Sequence, residues 1–319
     1  MRKMLKMKRN IKIILALIIT LFLGVALIVV FNNKAKQSEK LSIITSNFPA
    51  YDFARAVAGD RAEIKMLIKP GAELHDFEPN PQDIIDIRNS DLFIYTGGES
   101  DEWVESILDD TTNTLQMMNG VNTLQEEIIE GMESEDENEG ESEGEDDEHV
   151  LTSLRNAIKI IHSIRDELSE ISPENQGYFE ENAKAYTDKL SELDTSYQYI
   201  VRNAKRKTLV FGDRFPLRYF VEDYKLDYYA AFPGCAEQTE ASSKTIAFLI
   251  DKVRKEKIPV VLKIELSSNK TAQTIADETG AKVLTFNSAH NISAEDFAKG
   301  VTYADIMESN LAVLEEALR

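Results

Sequence analysis

Four histidines occur in this chain of 319 residues, and three of them stand where the backbone must turn. His75 sits inside Pro70-Gly71-Ala72-Glu73-Leu74-His75-Asp76-Phe77-Glu78-Pro79-Asn80-Pro81. Proline fixes φ and glycine relaxes sterics, so this loop is shaped before anything binds. A stiff loop around an imidazole suits a metal ligand. An ordinary surface turn with an incidental histidine is the other reading. His149 closes Asp147-Glu148-His149-Val150 just ahead of a helical stretch, and His290 follows a strand-like run in Phe286-Asn287-Ser288-Ala289-His290-Asn291. Such element ends are where α/β proteins hold ligands. His162 lies beside Ile160, Ile161 and Ile164 in a helical pattern and reads as a packed helix residue. Histidines this far apart in sequence carry less information than a CxxC pair or an HExxH helix, neither of which the chain has.

The elements that must position these residues follow from apolar periodicity. Ser42–Ser46, Glu63–Ile68 and Asp91–Tyr95 read as strands, and Ala50–Ala58 and Pro81–Asn89 as helices. A long helical region follows, Thr152–Ile171 and then Glu174–Ala204, with Pro173 at a helix start. The rhythm resumes with strands Thr208–Gly212, Lys225–Ala231, Val260–Leu266 and Ala281–Phe286, and helices Ser242–Lys255, Asn269–Thr279 and Tyr303–Leu318. Strands separated by helices imply parallel sheets with helices on their faces. The expected organisation is an α/β fold of two lobes, residues 41–170 and 207–319, joined by a long helix over 173–204 that acts as a rigid strut.

Residues 1–36 are a different kind of sequence. A basic tip with Arg2, Lys3, Lys6, Lys8, Arg9 and Lys12 precedes Ile13–Phe31, which is apolar throughout. That run has about the length needed to cross a hydrocarbon core and exceeds a signal-peptide core. It is expected to be an N-terminal transmembrane helix, a single-pass anchor in the cell membrane. The basic side then stays cytoplasmic and the remainder lies outside the cell. No small-x-small cleavage signature follows it, although a cleaved signal peptide is the other reading. Cys235 is the only cysteine, so no cysteine near the anchor carries a lipid and no intramolecular disulfide holds the fold. As a thiol it reads as a small buried hydrophobe.

The formal net charge of −20 argues against nucleic acid as a partner, because that affinity comes from phosphate neutralisation by Lys and Arg. Much of the charge lies in 126–148 (EEIIEGMESEDENEGESEGEDDE), expected to be a disordered acidic loop for want of apolar surface. It either gathers cations weakly or is a solvated tether.

Three phrases resemble the metal-binding solute receptors of ABC importers, a family that includes bacterial zinc and manganese receptors. PGAELHDFEPNPQDI resembles that family's first ligand loop, in which a histidine precedes an aromatic-Glu-Pro phrase. GGESDEWV (97–104) resembles its glycine pair and tryptophan, and DEHVLTSLRNA (147–157) its second ligand phrase. The acidic loop sits where zinc receptors carry a histidine-rich one, and the resemblance runs from about Leu41 to the C-terminus. It implies two α/β lobes with a metal in the cleft between them, little movement on binding, delivery to an ABC permease, a monomer, and no enzymatic activity. His75 and His149 match the family's two N-lobe ligands. The third family position falls in Phe211-Gly212-Asp213-Arg214-Phe215, which lacks histidine, so Asp213 is the nearest oxygen donor there; the fourth falls close to His290. Glu265, at a strand end, is the alternative carboxylate or a residue that orients an imidazole. Three imidazoles and one oxygen favour Zn²⁺, whereas two histidines and two carboxylates would suit Mn²⁺. The expected cargo is therefore Zn²⁺.

Two rival readings belong to other classes. A zinc hydrolase would need a general base beside a metal-bound water, and Glu73 or Glu78 is the candidate. A surface adhesion protein would instead use the acidic loop for calcium or a basic partner.

Overall fold

The computed structural model describes residues 40–72, 77–109, 111–133, 146–236 and 240–319. The expected anchor at Ile13–Phe31 lies outside these residues, as does most of the acidic segment. Among the described residues no helix is long and apolar enough to cross a membrane.

The first lobe is built on strands β1 (Leu41–Thr45), β2 (Ala62–Met66), β3 (Leu92–Tyr95) and β4 (Thr114–Gln116), all parallel in the order β2-β1-β3-β4. Helices α1 (Phe48–Ala58), α2 (Pro81–Asn89) and α3 (Trp103–Ile107) connect them. Alternation along the strands sorts the core by face. Ile43, Leu92 and Ile94 pack with α1 and with α4 (Leu154–Ile171), while Ile44 and Phe93 pack against Ile87 of α2 and Val104 and Ile107 of α3.

Helix α2 begins in a capping box. Asn80 Oδ1 accepts the Asp83 N–H and Asp83 returns an acceptor to the Asn80 N–H, with Pro81 in the first turn. Part of the Asn-Pro-Gln-Asp stiffness is therefore helix-start chemistry. Phe77, from the same phrase, packs edge-on to Trp103 at 5.7 Å between ring centroids. The aromatic-Glu-Pro phrase and the tryptophan thus clamp the foot of the histidine loop onto the lobe.

The second lobe repeats the pattern with β5 (Thr208–Phe215), β6 (Asp227–Pro233), β7 (Val260–Lys263) and β8 (Lys282–Thr285), parallel in the order β6-β5-β7-β8. Its helices are α6 (Arg218–Tyr224), α7 (Ser243–Glu256), α8 (Lys270–Thr279), α9 (Ala294–Lys299) and α10 (Tyr303–Ala317). Val210 and Val261 face α7 and α8, and Leu209, Phe211 and Leu262 face α6 and α10. A side chain at Gly212 would put its Cβ 2.5 Å from the Ala272 backbone, so β5 meets α8 in direct contact there.

Between the lobes runs α5 (Gln176–Asn203), 28 residues and therefore about 42 Å long. Its buried Phe179, Ala183, Leu190, Leu193 and Tyr197 belong to one apolar cluster that also contains residues of both lobes. Asp52 of α1 accepts the Tyr303 N–H of α10 at 2.9 Å and the Tyr186 hydroxyl of α5, so one buried carboxylate joins both lobes to the strut.

Several expected boundaries move, for local reasons. The strand placed at Lys225–Ala231 starts at Asp227, because Lys225 takes the left-handed conformation (φ 52°) that ends α6. The strand placed at Val260–Leu266 stops at Lys263, and Leu266 turns with φ 56°. The acidic loop departs most from its expectation. Of its described residues, 126–133 and 146–148, the first stretch lies against the second lobe: Glu127 pairs with Arg218 and accepts from Tyr228, Glu130 pairs with Lys252, and Glu133 accepts the Ser242 N–H. Basic and hydroxyl partners supplied by distant sequence order acids that composition alone reads as solvated.

Candidate metal centre

His149 ends the chain segment that precedes α4. Its own N–H and its ring Nδ1 both meet Asp147 Oδ1, at 2.7 and 3.0 Å. Asp147 is itself fixed, since its N–H donates to Leu124 O and its carbonyl accepts the Tyr219 hydroxyl at 2.6 Å. A carboxylate on Nδ1–H selects the tautomer that leaves the Nε2 lone pair for a metal. Ser153 then caps α4 by accepting the Asn156 N–H. A Cβ at Gly234 would lie 3.0 Å from His149 Cε1, so the turn packs closely against the ring and any larger side chain there would push on it.

His290 arrives from the opposite lobe, on the segment after β8. The two rings lie with centroids 4.7 Å apart, tilted by 53°. Two imidazoles on one tetrahedral ion, with metal–nitrogen bonds of about 2 Å, bring their centroids to about 5 Å. Both rings are buried, at 2 % and 8 % exposure.

Glu265, just past β7, lines the same cavity. Its carboxylate accepts the Ser288 N–H at 2.8 Å and the Ser288 hydroxyl at 2.6 Å, which fixes it next to the His290 segment. Asp213 lies elsewhere. Its oxygens take the Arg214 and Ile264 N–H groups and the Ser267 hydroxyl, tying β5 to the end of β7, and it does not line the cavity. Of the two carboxylates considered from sequence, Glu265 is thus the one beside the histidines.

His75 lies outside the described residues, but its loop is tied to the site. The Gly71 N–H donates to Asn291 Oδ1 at 3.2 Å, and Asn291 Nδ2 donates to Ala72 O at 2.5 Å. The residue after His290 therefore holds the entry of the His75 loop. His162 is half-buried on α4, away from the cavity. Glu78 is exposed and does not line the cavity, and Glu73 lies outside the described residues.

The cavity, lined also by Arg214, Pro216 and Gly234, holds about 70 Å³. That is room for an ion and a little water and far below the about 300 Å³ at which organic-ligand pockets begin. Acidic groups surround His149, while the Arg214 side chain brings one positive charge to the same lining. Burial pulls the His149 imidazole pKa down, and the carboxylates of Asp147, Glu148 and Glu126 more than offset it, leaving it above the ordinary value. Burial pushes Glu265 up, partly countered by the Ser288 hydrogen bonds. Sequence reasoning missed Glu148 and Cys235, whose donor atoms and a ring nitrogen of His149 all lie within 4.8 Å of one another. The signal available was adjacency, since Glu148 precedes the histidine directly.

Residues 43–317 match the family model described as zinc-uptake complex component A, periplasmic. The chain is 34% identical over 312 residues to the zinc-binding lipoprotein AdcA of Streptococcus pneumoniae, covering 97% of this chain and 61% of that protein. It thus spans about three-fifths of that relative's length. Identity to the high-affinity zinc uptake system protein ZnuA of Bacillus subtilis is 31% over 290 residues, covering 88% of this chain and 89% of that one. The crystal structure of the Zn(II)-bound ZnuA-like domain of Streptococcus pneumoniae AdcA superposes with a TM-score of 0.73 at 32% identity, covering 88% of this chain and 99% of that one.

Proposed function

The chain belongs to the zinc-uptake component A family of solute-binding receptors, and from that premise we propose that it captures Zn²⁺ outside the cell and passes it to an ABC permease for import. The observation that carries this reading is the pairing of His149 and His290, from different lobes, 4.7 Å apart in one cavity with Glu265. Their donors fit an ion that prefers imidazole with one carboxylate. His75, at the position matching the family's first ligand loop, is proposed as the remaining imidazole. Asp213 is not included, because it does not line the cavity that His149, His290 and Glu265 share.

The names of the relatives also support the reading, since they are a zinc-binding lipoprotein and a zinc uptake protein. We place the receptor at the outer face of the cell membrane, with Ile13–Phe31 as its tether and the permease as its partner. Zinc titration of the full-length chain in detergent tests the proposal. One ion per chain is expected, with affinity lowered at least about tenfold in His290→Ala. Absence of stoichiometric zinc, or binding indifferent to His290→Ala, would contradict it.

A further inference from the structure

Among the described residues, four that are not glycine have φ in the left-handed region: Lys225, Lys257, Leu266 and Ala289. Lys225 and Lys257 end helices α6 and α7, where that conformation is a common stop. The other two lie beside proposed ligands, since Leu266 follows Glu265 and Ala289 precedes His290. At φ near 60° a Cβ crowds its own backbone, so such a residue persists only where its surroundings hold it. Packing does not hold Leu266, which is 54 % exposed, and hydrogen bonds on either side of it do. Asp213 Oδ2, from β5, accepts the Ile264 N–H at 3.0 Å and also the Ser267 hydroxyl. One oxygen of a buried carboxylate thus grips the turn before Glu265 and after Leu266. Asp213 Oδ1 accepts the Arg214 N–H at 2.8 Å, which fixes the carboxylate on its own strand. Lys263 Nζ spans the same turn, donating to Ile264 O at 3.1 Å and to Ser267 O at 3.3 Å. Beyond the turn, the Ser288 hydroxyl that donates to Glu265 accepts the His290 N–H at 3.2 Å. A continuous series of hydrogen bonds and backbone therefore runs from Asp213 to both ligands proposed from the second lobe.

Building on the receptor reading above, with Glu265 as a ligand, we propose that Asp213 is a positioning residue of the metal site. It does not touch the ion; it sets zinc affinity by holding the 264–267 turn in the strained form that presents the Glu265 carboxylate to the cavity. A carboxylate on an unheld turn would have to be ordered as the ion arrives, and that ordering is subtracted from the binding free energy. One already held by its neighbours incurs no such loss.

A double-substitution cycle tests this, with zinc affinity measured by chelator competition on the full-length chain in detergent. The variants are Asp213→Ala, Glu265→Ala and the two combined. Asp213→Ala is expected to lower zinc affinity about 10- to 100-fold. In the Glu265→Ala background the same substitution is expected to change it by less than about threefold, because the residue through which Asp213 acts is gone. Asp213→Asn, which keeps the shape and loses one acceptor, is expected to show a smaller loss with the same dependence on Glu265, and it carries the test if the alanine variant does not fold. A residue that only stabilises the fold, or one that binds the ion itself, would lower affinity by the same factor in both backgrounds. That result, or zinc affinity unchanged by the Asp213 substitutions, would overturn the assignment while leaving the receptor reading intact. An unchanged affinity in Glu265→Ala alone would remove Glu265 from the ligand set and this role of Asp213 with it, and failure of the unsubstituted chain to bind zinc would overturn both the assignment and the receptor reading.

Discussion

At the scale of single residues, the proposed site places carboxylates behind and beside imidazoles. Asp147 fixes the His149 ring through Nδ1 and raises its proton affinity, and Glu265 is locked by Ser288 next to His290. A proton and a zinc ion compete for the same Nε2 lone pair. Because burial is outweighed by its acidic neighbours, His149 has a folded pKa above its unfolded one. In the metal-free protein this contributes stability that is fully present below about pH 6.5 and is lost as pH rises through the folded pKa. For zinc the sign is opposite: protonation of His149 opposes binding, and does so from a higher pH than for an ordinary histidine. Zinc affinity measured by competition with a chelator is therefore expected to fall on acidification, beginning above about pH 6.5. Affinity unchanged down to pH 4 would remove His149 from the ligand set.

At the scale of elements, the proposed ligands His149, His290 and Glu265 follow ordinary turn, capping and sheet chemistry. Asp52 illustrates the energetics, since it is fully buried and serves the Arg55 guanidinium, the Tyr186 hydroxyl and the Tyr303 N–H together. Asp52→Ala leaves those donors without their acceptor and is expected to destabilise the chain by about 3 kcal/mol or more in urea unfolding. A loss under about 1 kcal/mol would mean that water replaces the carboxylate.

Most of the strands were legible because buried parallel strands read as short apolar runs such as Leu92–Tyr95 and Val260–Lys263. Strand β4 was not, having three half-buried residues, and neither were the short helices α3, α6 and α9, whose few turns give no sustained period. The histidines stood out by their place at element ends. The choice between Glu265 and Asp213 did not, because it depends on β5 lying beside β7 in the sheet, where Asp213 turns to the Ile264 N–H. Cys235 was invisible as a donor for the same reason: its nearness to His149 exists only once β6 delivers the turn to the first lobe.

At the scale of the whole molecule, the buried apolar cluster runs from β1 and β3 through α5 to β5 and β7 without interruption. Separating the lobes would expose part of it, at about 25 cal/mol per Å² of apolar surface. The fold thus favours a preformed cleft into which loops deliver ligands, in place of two lobes that swing shut. The net charge of −20 gives the molecule an attractive field for cations, while the described acids at 126–133 are spent partly on pairing with the second lobe. The central claim is that one zinc ion is held between the lobes by residues from both. Anomalous diffraction at the zinc edge from crystals of the zinc-loaded protein tests it most directly. The account predicts one strong peak within bonding distance of His149, His290 and Glu265; a peak touching neither histidine, or one confined to the acidic segment, would contradict it.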